Sequence, residues 1–255
     1  MTGRMKGIPR TAGKAGNGMR DDRNLPSRAD IRKLAVWVMR HPILRDHYAI
    51  GGGAWLTLRL PRSRLSVDVD TFSSNENVSS YRAMMEIVQT CQKNRFPYRI
   101  IRRGEHFCQI VVGYPLPERG IKVDIGKIWR PVKLETDRRI GCKVLSAGDM
   151  AAEKLKCVVD RIEPTDVYDL CRLHETYPAE FRKALDSLRA QGETGELLVR
   201  IQRCFEVTDG VGTKERLTAA ERLWMESYVP KMVKDISVRA RKETQAPPDN
   251  PDMPY

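Results

Sequence analysis

The chain has 255 residues, of which 41% are apolar and 31% charged, and it carries a net charge of +12. This length supports a sizeable core, and with its 18 glycines the composition is that of a globular protein, which excludes wholesale disorder. No window approaches the ~18 uninterrupted apolar residues of a transmembrane helix, and the polar N-terminus lacks the apolar stretch of a secretory signal. We therefore expect a cytoplasmic protein with no membrane partner.

Basic residues are concentrated at the N-terminus. Residues 1–45 carry 11 Lys and Arg against 3 Asp and Glu. Residues 1–26 are rich in Gly, Arg and Asn without periodicity, so we expect a disordered basic arm there. Such an arm either binds nucleic acid through its phosphates or remains a solvated tail, and the sequence leaves both possibilities open.

The remainder of the chain divides into an α+β part and a helical part. Apolar periodicity predicts helices at 28–40, from 54 to 60 and at 79–93, and strands at 48–50, 67–72, 97–103, 106–113 and 120–125. Further helices are predicted at 147–162, 165–175, 178–190, 194–206 and 214–242. We therefore expect an α/β domain at 27–145, a helical domain at 146–245 and a proline-rich disordered tail at 246–255.

Three consecutive glycines, Gly51, Gly52 and Gly53, stand between a predicted strand and a predicted helix. Glycines at such a junction let backbone amides approach a phosphate closely, and the N-terminus of the helix adds a favourable field. A triple glycine is also compatible with a simple turn.

Acidic residues lie on two of the predicted strands. Asp68 and Asp70 are two positions apart, so their carboxylates point to the same side. Adjacent like charges are costly unless a divalent metal compensates them, although a solvent-facing strand also tolerates them. Asp124 lies on a later strand between two apolar residues. If the two strands are neighbours, three carboxylates converge as a two-metal phosphoryl-transfer site requires; otherwise Asp124 is an edge-strand acid.

Four further charged residues lie on the first two helices of the predicted helical domain. Lys154 and Arg161 are seven positions apart on one flank of an apolar stripe, where a pair of cations can bind phosphate. Asp166 and Asp169, three positions apart on the next helix, share a face. Ordinary solvated helix charges are the alternative interpretation.

The order of these motifs resembles the nucleotidyltransferase superfamily that includes DNA polymerase β, and within it the AbiEii/AbiGii toxins with the MenT enzymes. Those toxins have a G-G-T/S-A turn, an S-x-D-x-D strand, a helical lysine, an arginine and a D-x-Y-D-L segment. The matching segments here are Gly51–Ala54, Ser66–Asp70, Lys154, Arg161 and Asp166–Leu170. Gly53 stands where the family usually has Thr or Ser, so the resemblance implies that a hydroxyl contact to the nucleotide phosphates is missing.

The resemblance implies a mixed sheet flanked by helices, followed by a C-terminal helical bundle. It also implies an NTP-dependent nucleotidyltransferase that acts as the toxin of a toxin–antitoxin pair, with a cognate antitoxin protein as partner. The enzyme would transfer a nucleoside monophosphate to RNA, by family likeness to the 3′ end of tRNA. Asp68, Asp70 and Asp124 would bind Mg²⁺ or Mn²⁺, and Asp124 would orient or deprotonate the attacking hydroxyl.

The resemblance assigns the remaining motifs to nucleotide binding and positioning. The glycine turn, Ser66, Lys154 and Arg161 would hold the NTP, and Asp166 and Asp169 would position Lys154 or the acceptor. Three arginines between the turn and the D-x-D strand either contact phosphate or are surface charges: Arg59, Arg62 and Arg64. Two other functions stay open. One is transfer to a small molecule, as in the aminoglycoside nucleotidyltransferases, and the other is a non-enzymatic nucleic-acid-binding protein on a degenerate fold.

Overall fold

The computed structural model describes residues 25–161, 163–206 and 217–243. Contacts within it divide the chain into two units, Met1–Ser146 and Ala147–Tyr255. Apart from Leu25 and Pro26, the arm predicted at 1–26 lies outside the described residues, and the tail predicted at 246–255 lies wholly outside them.

A seven-stranded sheet and four helices make up residues 25–146 of the first unit. The helices are α1 Arg28–Val38, α2 Pro42–His47, α3 Gly52–Arg59 and α4 Ser80–Asn94. The strands are β1 Ala49–Gly51, β2 Asp68–Ser73, β3 Tyr98–Arg102, β4 Phe107–Val112, β5 Ile121–Lys127, β6 Leu134–Asp137 and β7 Cys142–Leu145.

The sheet is mixed, with strand order β3-β4-β5-β2-β1-β7-β6. β2 pairs with β5 in parallel and β1 pairs with β7 in parallel, while the other pairs are antiparallel. α4 packs on β4 and β5, and α3 packs on β1 and β2. The sheet core includes the fully buried Ile50, Val69, Ile110 and Val123. The predicted mixed sheet flanked by helices is confirmed.

Every strand and helix predicted in this unit is present, but three elements were missed. β6 and β7 have four residues each, which is too short for a period-two pattern to stand out. α2 begins at Pro42 and has only six residues, which is too short for apolar periodicity to indicate a helix. In addition, α3 begins at Gly52, two residues before its predicted start.

The loop between α3 and β2 is fastened to α1. The Arg28 guanidinium donates hydrogen bonds to four carbonyl oxygens of this region, those of Thr57, Leu60, Pro61 and Ser63. Because one side chain satisfies the end of α3 and the loop together, Arg28 fixes the path by which the chain enters β2.

Five helices form the described part of the second unit. They are α5 Ala147–Asp160, α6 Pro164–Thr176, α7 Pro178–Ala190, α8 Thr194–Glu206 and α9 Ala219–Glu243. Their shared core includes Leu155, Leu170, Phe181, Ile201 and Met232, and the predicted helical bundle is confirmed. The last predicted helix starts later than expected, and its residues 214–216 lie outside the described residues. Across the described residues, no helix combines the length and apolar character needed to cross a membrane.

Candidate active site

The parallel pairing of β2 and β5 brings the three predicted carboxylates together. Asp70 lies opposite Asp124, and Asp68 lies opposite Lys122. One carboxylate oxygen from each of Asp68, Asp70 and Asp124 lies within 4.8 Å of the other two. No other group of three His, Cys, Asp or Glu residues in the described ranges is arranged to hold a metal ion. The convergence expected from the sequence, which depended on the two strands being neighbours, is therefore present.

Polar neighbours fix the orientation of two of these carboxylates. The Ser66 hydroxyl donates to Asp68 Oδ1 at 2.8 Å, and the Ser66 amide donates to Thr57 Oγ1 at 2.8 Å. The Gln109 amide on β4 donates to Asp124 Oδ2 at 3.3 Å. Asp68 is only 8% exposed, so the interpretation of these acids as solvent-facing strand residues is wrong for it.

Lys122 is a site residue that the sequence analysis did not assign. Its Nζ lies 3.2 Å from Asp68 Oδ2 and 2.9 Å from Asp124 Oδ2. Burial opposes the charged form, but Asp68 and Asp124 outweigh it and raise the pKa of the Lys122 ammonium above its ordinary value. The signal was present in the sequence, because Lys122 and Asp124 are two positions apart and therefore share a face of the strand.

The arrangement of oxygens fits a divalent cation. Three carboxylates converge here, and Lys122 is paired with those of Asp68 and Asp124. In addition, Asp124 Oδ1 is buried and has no hydrogen-bond partner among the described residues. A buried carboxylate oxygen without a partner is costly, and hard cations such as Mg²⁺ and Mn²⁺ are bound by such oxygens. Asp68, Asp70 and Asp124 are thus able to hold a divalent metal.

The glycine turn packs directly against the D-x-D strand. Gly52 has a φ of +57°, and a Cβ on it would lie 1.8 Å from Asp70 Oδ2, so only glycine fits there. Gly51 is the N-cap of α3, and Gly52 is its first residue. Because the first amides of a helix have no partner within the helix, this turn presents anion-binding groups beside Asp70.

The hydroxyl expected to be missing at Gly53 has a counterpart nearby. A Cβ at residue 53 would lie 2.7 Å from Ser66 Oγ and 3.2 Å from Arg64 Nη2. The space of a Thr or Ser side chain is therefore occupied by the Ser66 hydroxyl and the Arg64 guanidinium. Arg64 is only 6% exposed, so it is not a simple surface charge.

The other two arginines of this segment differ in their surroundings. Arg59 Nε lies 3.3 Å from Asp137 Oδ2 on β6, and Arg59 Nη1 lies 3.6 Å from Glu135 Oε2. This pairing ties α3 to the edge of the sheet. Arg62 is exposed.

The second group of predicted site residues is an ionic cluster in the helical unit. Lys154 Nζ lies 2.7 Å from Asp166 Oδ1 and 2.8 Å from Asp169 Oδ2. Arg161 Nε lies 2.7 Å from Asp166 Oδ2. The Lys154, Asp166 and Asp169 side chains are 5%, 1% and 0% exposed, so their interpretation as solvated helix charges is wrong; Arg161 alone is 53% exposed.

The cations of this cluster keep Asp166 ionised. Burial opposes the charge of Asp166, but Lys154 and Arg161 outweigh it and lower the pKa of the Asp166 carboxyl to about 2. α5 supplies Lys154 and α6 supplies both aspartates. The two aspartates thus hold the ammonium of Lys154 in one position, while Arg161 keeps half of its side chain accessible.

Comparisons with known proteins agree with this fold. Residues 37–248 match the family model described as the nucleotidyl transferase AbiEii toxin of a type IV toxin–antitoxin system. The solved structure of JHP933 from Helicobacter pylori is similar, with a TM-score of 0.53 and 15% identity over 86% of this chain and 96% of that one. A putative nucleotidyltransferase from H. pylori aligns with a TM-score of 0.52 and 15% identity over 85% of this chain and 98% of that one.

A third solved structure is more distant. The nucleotidyltransferase toxin MenT4 from Mycobacterium tuberculosis aligns with a TM-score of 0.41 and 17% identity over 84% of this chain and 94% of its own. No curated protein matches the sequence significantly.

A mixed sheet with a glycine turn beside three convergent carboxylates defines a nucleotidyltransferase. The family model matches most of the chain. The chain belongs to the AbiEii nucleotidyltransferase toxin family, as the order of its motifs predicted.

Proposed function

We propose that this nucleotidyltransferase toxin is a Mg²⁺-dependent enzyme that transfers a nucleoside monophosphate from an NTP to RNA, at the 3′ end of tRNA. The observation that carries the proposal is the packing of the Gly52 turn against Asp70, whose carboxylate converges with those of Asp68 and Asp124. A site for triphosphate oxygens thus adjoins a site for a divalent cation. Phosphoryl transfer needs this combination, because its catalysis is mostly positioning and charge stabilisation.

The residues of the first unit have separable roles in this proposal. Asp68, Asp70 and Asp124 would hold the Mg²⁺. When bound, the ion would supply positive charge that stabilises the triphosphate and its leaving group and lowers the pKa of the attacking hydroxyl. The backbone of Gly51–Gly53 binds triphosphate oxygens. Ser66 holds Asp68 in place through its 2.8 Å hydrogen bond.

Asp124 acts on the acceptor. The acceptor oxygen attacks the α-phosphorus, a new P–O bond forms, and the bond to pyrophosphate breaks. The Asp124 carboxylate accepts the hydroxyl proton or a hydrogen bond from it. From the family resemblance we assign Lys154 and Arg161 to nucleotide binding, with Asp166 and Asp169 as the residues that position Lys154.

RNA as the acceptor is supported by the family resemblance and by charge. The net charge of +12 favours a polyanionic partner, and residues 1–45 supply most of the excess. A cognate antitoxin protein is the second partner that we propose, because the family is that of a toxin–antitoxin system.

The test is a labelling assay. Purified protein is incubated with total tRNA, Mg²⁺ and each α-labelled NTP in turn, beside an Asp68→Ala/Asp70→Ala variant as control. The proposal predicts label in RNA with at least one NTP and none with the variant. Label in a small-molecule acceptor but not in RNA would overturn the RNA assignment. Transfer by the variant at the wild-type rate would overturn the assignment of the site.

A further inference from the structure

A row of aromatic side chains crosses the sheet two positions beyond the carboxylates. Phe72 on β2 and Phe107 on β4 both lie opposite Gly126 on β5. Residues two apart on a strand share a face, so these three positions lie on the same face of the sheet as Asp70, Asp124 and Gln109. We call Phe72, Gly126 and Phe107 the aromatic row.

The glycine in this row lets the two aromatic rings come close to each other. A Cβ at Gly126 would lie 3.4 Å from Phe107 Cδ2 and 3.5 Å from Phe72 Cδ1, so the two rings approach each other over this glycine, which is itself buried. Both rings are half-buried and keep part of their surface accessible. Flat aromatic surfaces of this kind stack nucleobases with little dependence on base identity.

Basic and aromatic groups continue from the row toward solvent. The Arg102 guanidinium lies 5.2 Å from the centroid of the Phe107 ring. The hairpin that joins β3 to β4 carries His106, whose ring centroid lies 4.9 Å from that of Trp129, and Trp129 is 68% exposed. The exposed Arg103 belongs to the same hairpin. Aromatic rings interleaved with arginines are the composition of single-stranded nucleic-acid sites, where rings take bases and cations take phosphates.

The position of the row indicates which substrate it serves. β1 runs antiparallel to β2, with Ala49 opposite Phe72 and Gly51 opposite Asp70. The turn at Gly52 therefore continues toward the start of β2, while the aromatic row lies toward its end, with Asp70 and Asp124 between. In phosphoryl transfer the attacking and leaving oxygens are roughly in line, on opposite sides of the phosphorus. With the triphosphate on the glycine turn, the acceptor approaches from the side of the aromatic row.

We propose that the aromatic row stacks the terminal base of the RNA acceptor, that Arg102 contacts its backbone, and that the His106–Trp129 pair stacks a preceding base. The inference rests on the proposed function, since it supplies the acceptor site for the same reaction. It identifies the acceptor as a single-stranded nucleic-acid end and assigns its recognition to aromatic and basic side chains. One of them, Phe72, borders the first glycine of the turn, since a Cβ at Gly51 would lie 2.6 Å from Phe72 Cδ2.

The test compares three leucine substitutions. Phe107→Leu and Trp129→Leu remove proposed stacking rings, and Trp129 is exposed enough for its loss to leave the fold intact. Phe96→Leu is the matched control, because Phe96 is also half-buried but packs in a separate cluster with Trp37 and Tyr114. The dissociation constant of a fluorescently labelled single-stranded RNA ending in CCA is measured by anisotropy at fixed salt, without NTP. The KM values for RNA and for NTP are measured separately.

We expect both site variants to weaken RNA binding about tenfold, as loss of a stacked base does, and to raise the KM for RNA with that for NTP unchanged. The Phe96→Leu control should bind RNA within twofold of wild type. Arg102→Gln should reduce the slope of log affinity against log salt by about 0.7, the value for one phosphate contact on a single strand.

Suppose that the wild-type protein labels RNA and that Phe107→Leu and Trp129→Leu both keep the wild-type RNA affinity and KM for RNA. This result would overturn the inference and leave the proposed function standing. If the wild-type protein labels no RNA, the proposed function is wrong, and the inference that rests on it is wrong as well.

Discussion

Lys122 lies opposite Asp68 in the parallel pairing of β2 and β5, with its Nζ 3.2 Å from the Asp68 carboxylate and 2.9 Å from that of Asp124. The strand register, rather than a chance side-chain rotamer, places this ammonium among the three carboxylates. It offsets part of their mutual repulsion in the protein without metal. For the same reason it competes with a divalent cation for the same oxygens.

Lys122→Met is therefore expected to raise metal affinity. Without nucleotide, the variant should bind Mn²⁺ about tenfold more tightly than wild type, measured by the paramagnetic resonance signal of free Mn²⁺. Its melting temperature without metal should fall, because Asp68 and Asp124 then lose their ion pairs with Lys122. Lys133→Met, which changes a side chain 79% exposed, is the control. Equal Mn²⁺ affinity in the two variants would show that the Lys122 ammonium does not compete with the metal ion for the carboxylates.

The second prediction concerns residue 53. Gly53→Ser restores the family's more common residue but should lower both stability and NTP affinity, because the new Cβ would lie 2.7 Å from Ser66 Oγ. The double variant Gly53→Ser/Ser66→Ala removes that clash and should recover part of the NTP affinity. Calorimetric titration with a non-hydrolysable NTP analogue measures both effects. Tighter NTP binding by the single variant Gly53→Ser would show that the Ser66 hydroxyl does not occupy the space of a side chain at residue 53.

Lys154→Met is expected to destabilise the protein by about 3–5 kcal/mol, since it leaves the buried Asp166 and Asp169 without their shared cation. Lys156→Met on the same helix changes a side chain that is 56% exposed and should cost about 0.5 kcal/mol or less. Urea unfolding followed by circular dichroism gives both values. Similar losses in the two variants would mean that burial of the cluster is not what makes Lys154 important to stability.

The lowered pKa of Asp166 predicts a pH dependence. Its carboxyl has a pKa of about 2 in the folded protein, against an ordinary value of 3.8. The cluster thus contributes stability that is fully present above pH ~4 and is lost as the pH falls toward 2. The difference in free energy of unfolding between wild type and Asp166→Asn should shrink by about 2 kcal/mol over this range. Asp160→Asn, at an exposed position on α5, is the control. The prediction would be contradicted if the difference in free energy of unfolding between wild type and Asp166→Asn did not change with pH.

Local patterns were enough to predict the motifs and most elements, but not the partners that long-range packing supplies. The shared face of Asp68 and Asp70 follows from strand periodicity alone, whereas their convergence with Asp124 depends on β2 and β5 being neighbours. No spacing rule contains that information. The spacing of Lys122 from Asp124 was visible in the sequence, but the contact of Lys122 with Asp68 depends on the neighbouring strand.

Burial of the helical cluster was also beyond sequence reasoning. The family resemblance suggested that Asp166 and Asp169 position Lys154 or the acceptor, but the spacing alone does not reveal that α6 places both aspartates against Lys154. Arg59 was a candidate phosphate ligand because β6, which supplies its partner Asp137, was not predicted. In each case the sequence identified the charge, and the fold determined its partner.

The most direct test of the account is the single-turnover rate of nucleotidyl transfer by Asp124→Asn at saturating NTP and Mn²⁺. Asparagine preserves the shape of the side chain but removes the charge and basicity of the carboxylate, while Glu118→Gln alters an exposed acid of the same unit as control. The account predicts a rate about 10²–10⁴-fold below wild type for Asp124→Asn, in a protein that circular dichroism shows to be folded, and a wild-type rate for Glu118→Gln. Transfer by Asp124→Asn at the wild-type rate would contradict the assignment of the three carboxylates as the catalytic centre.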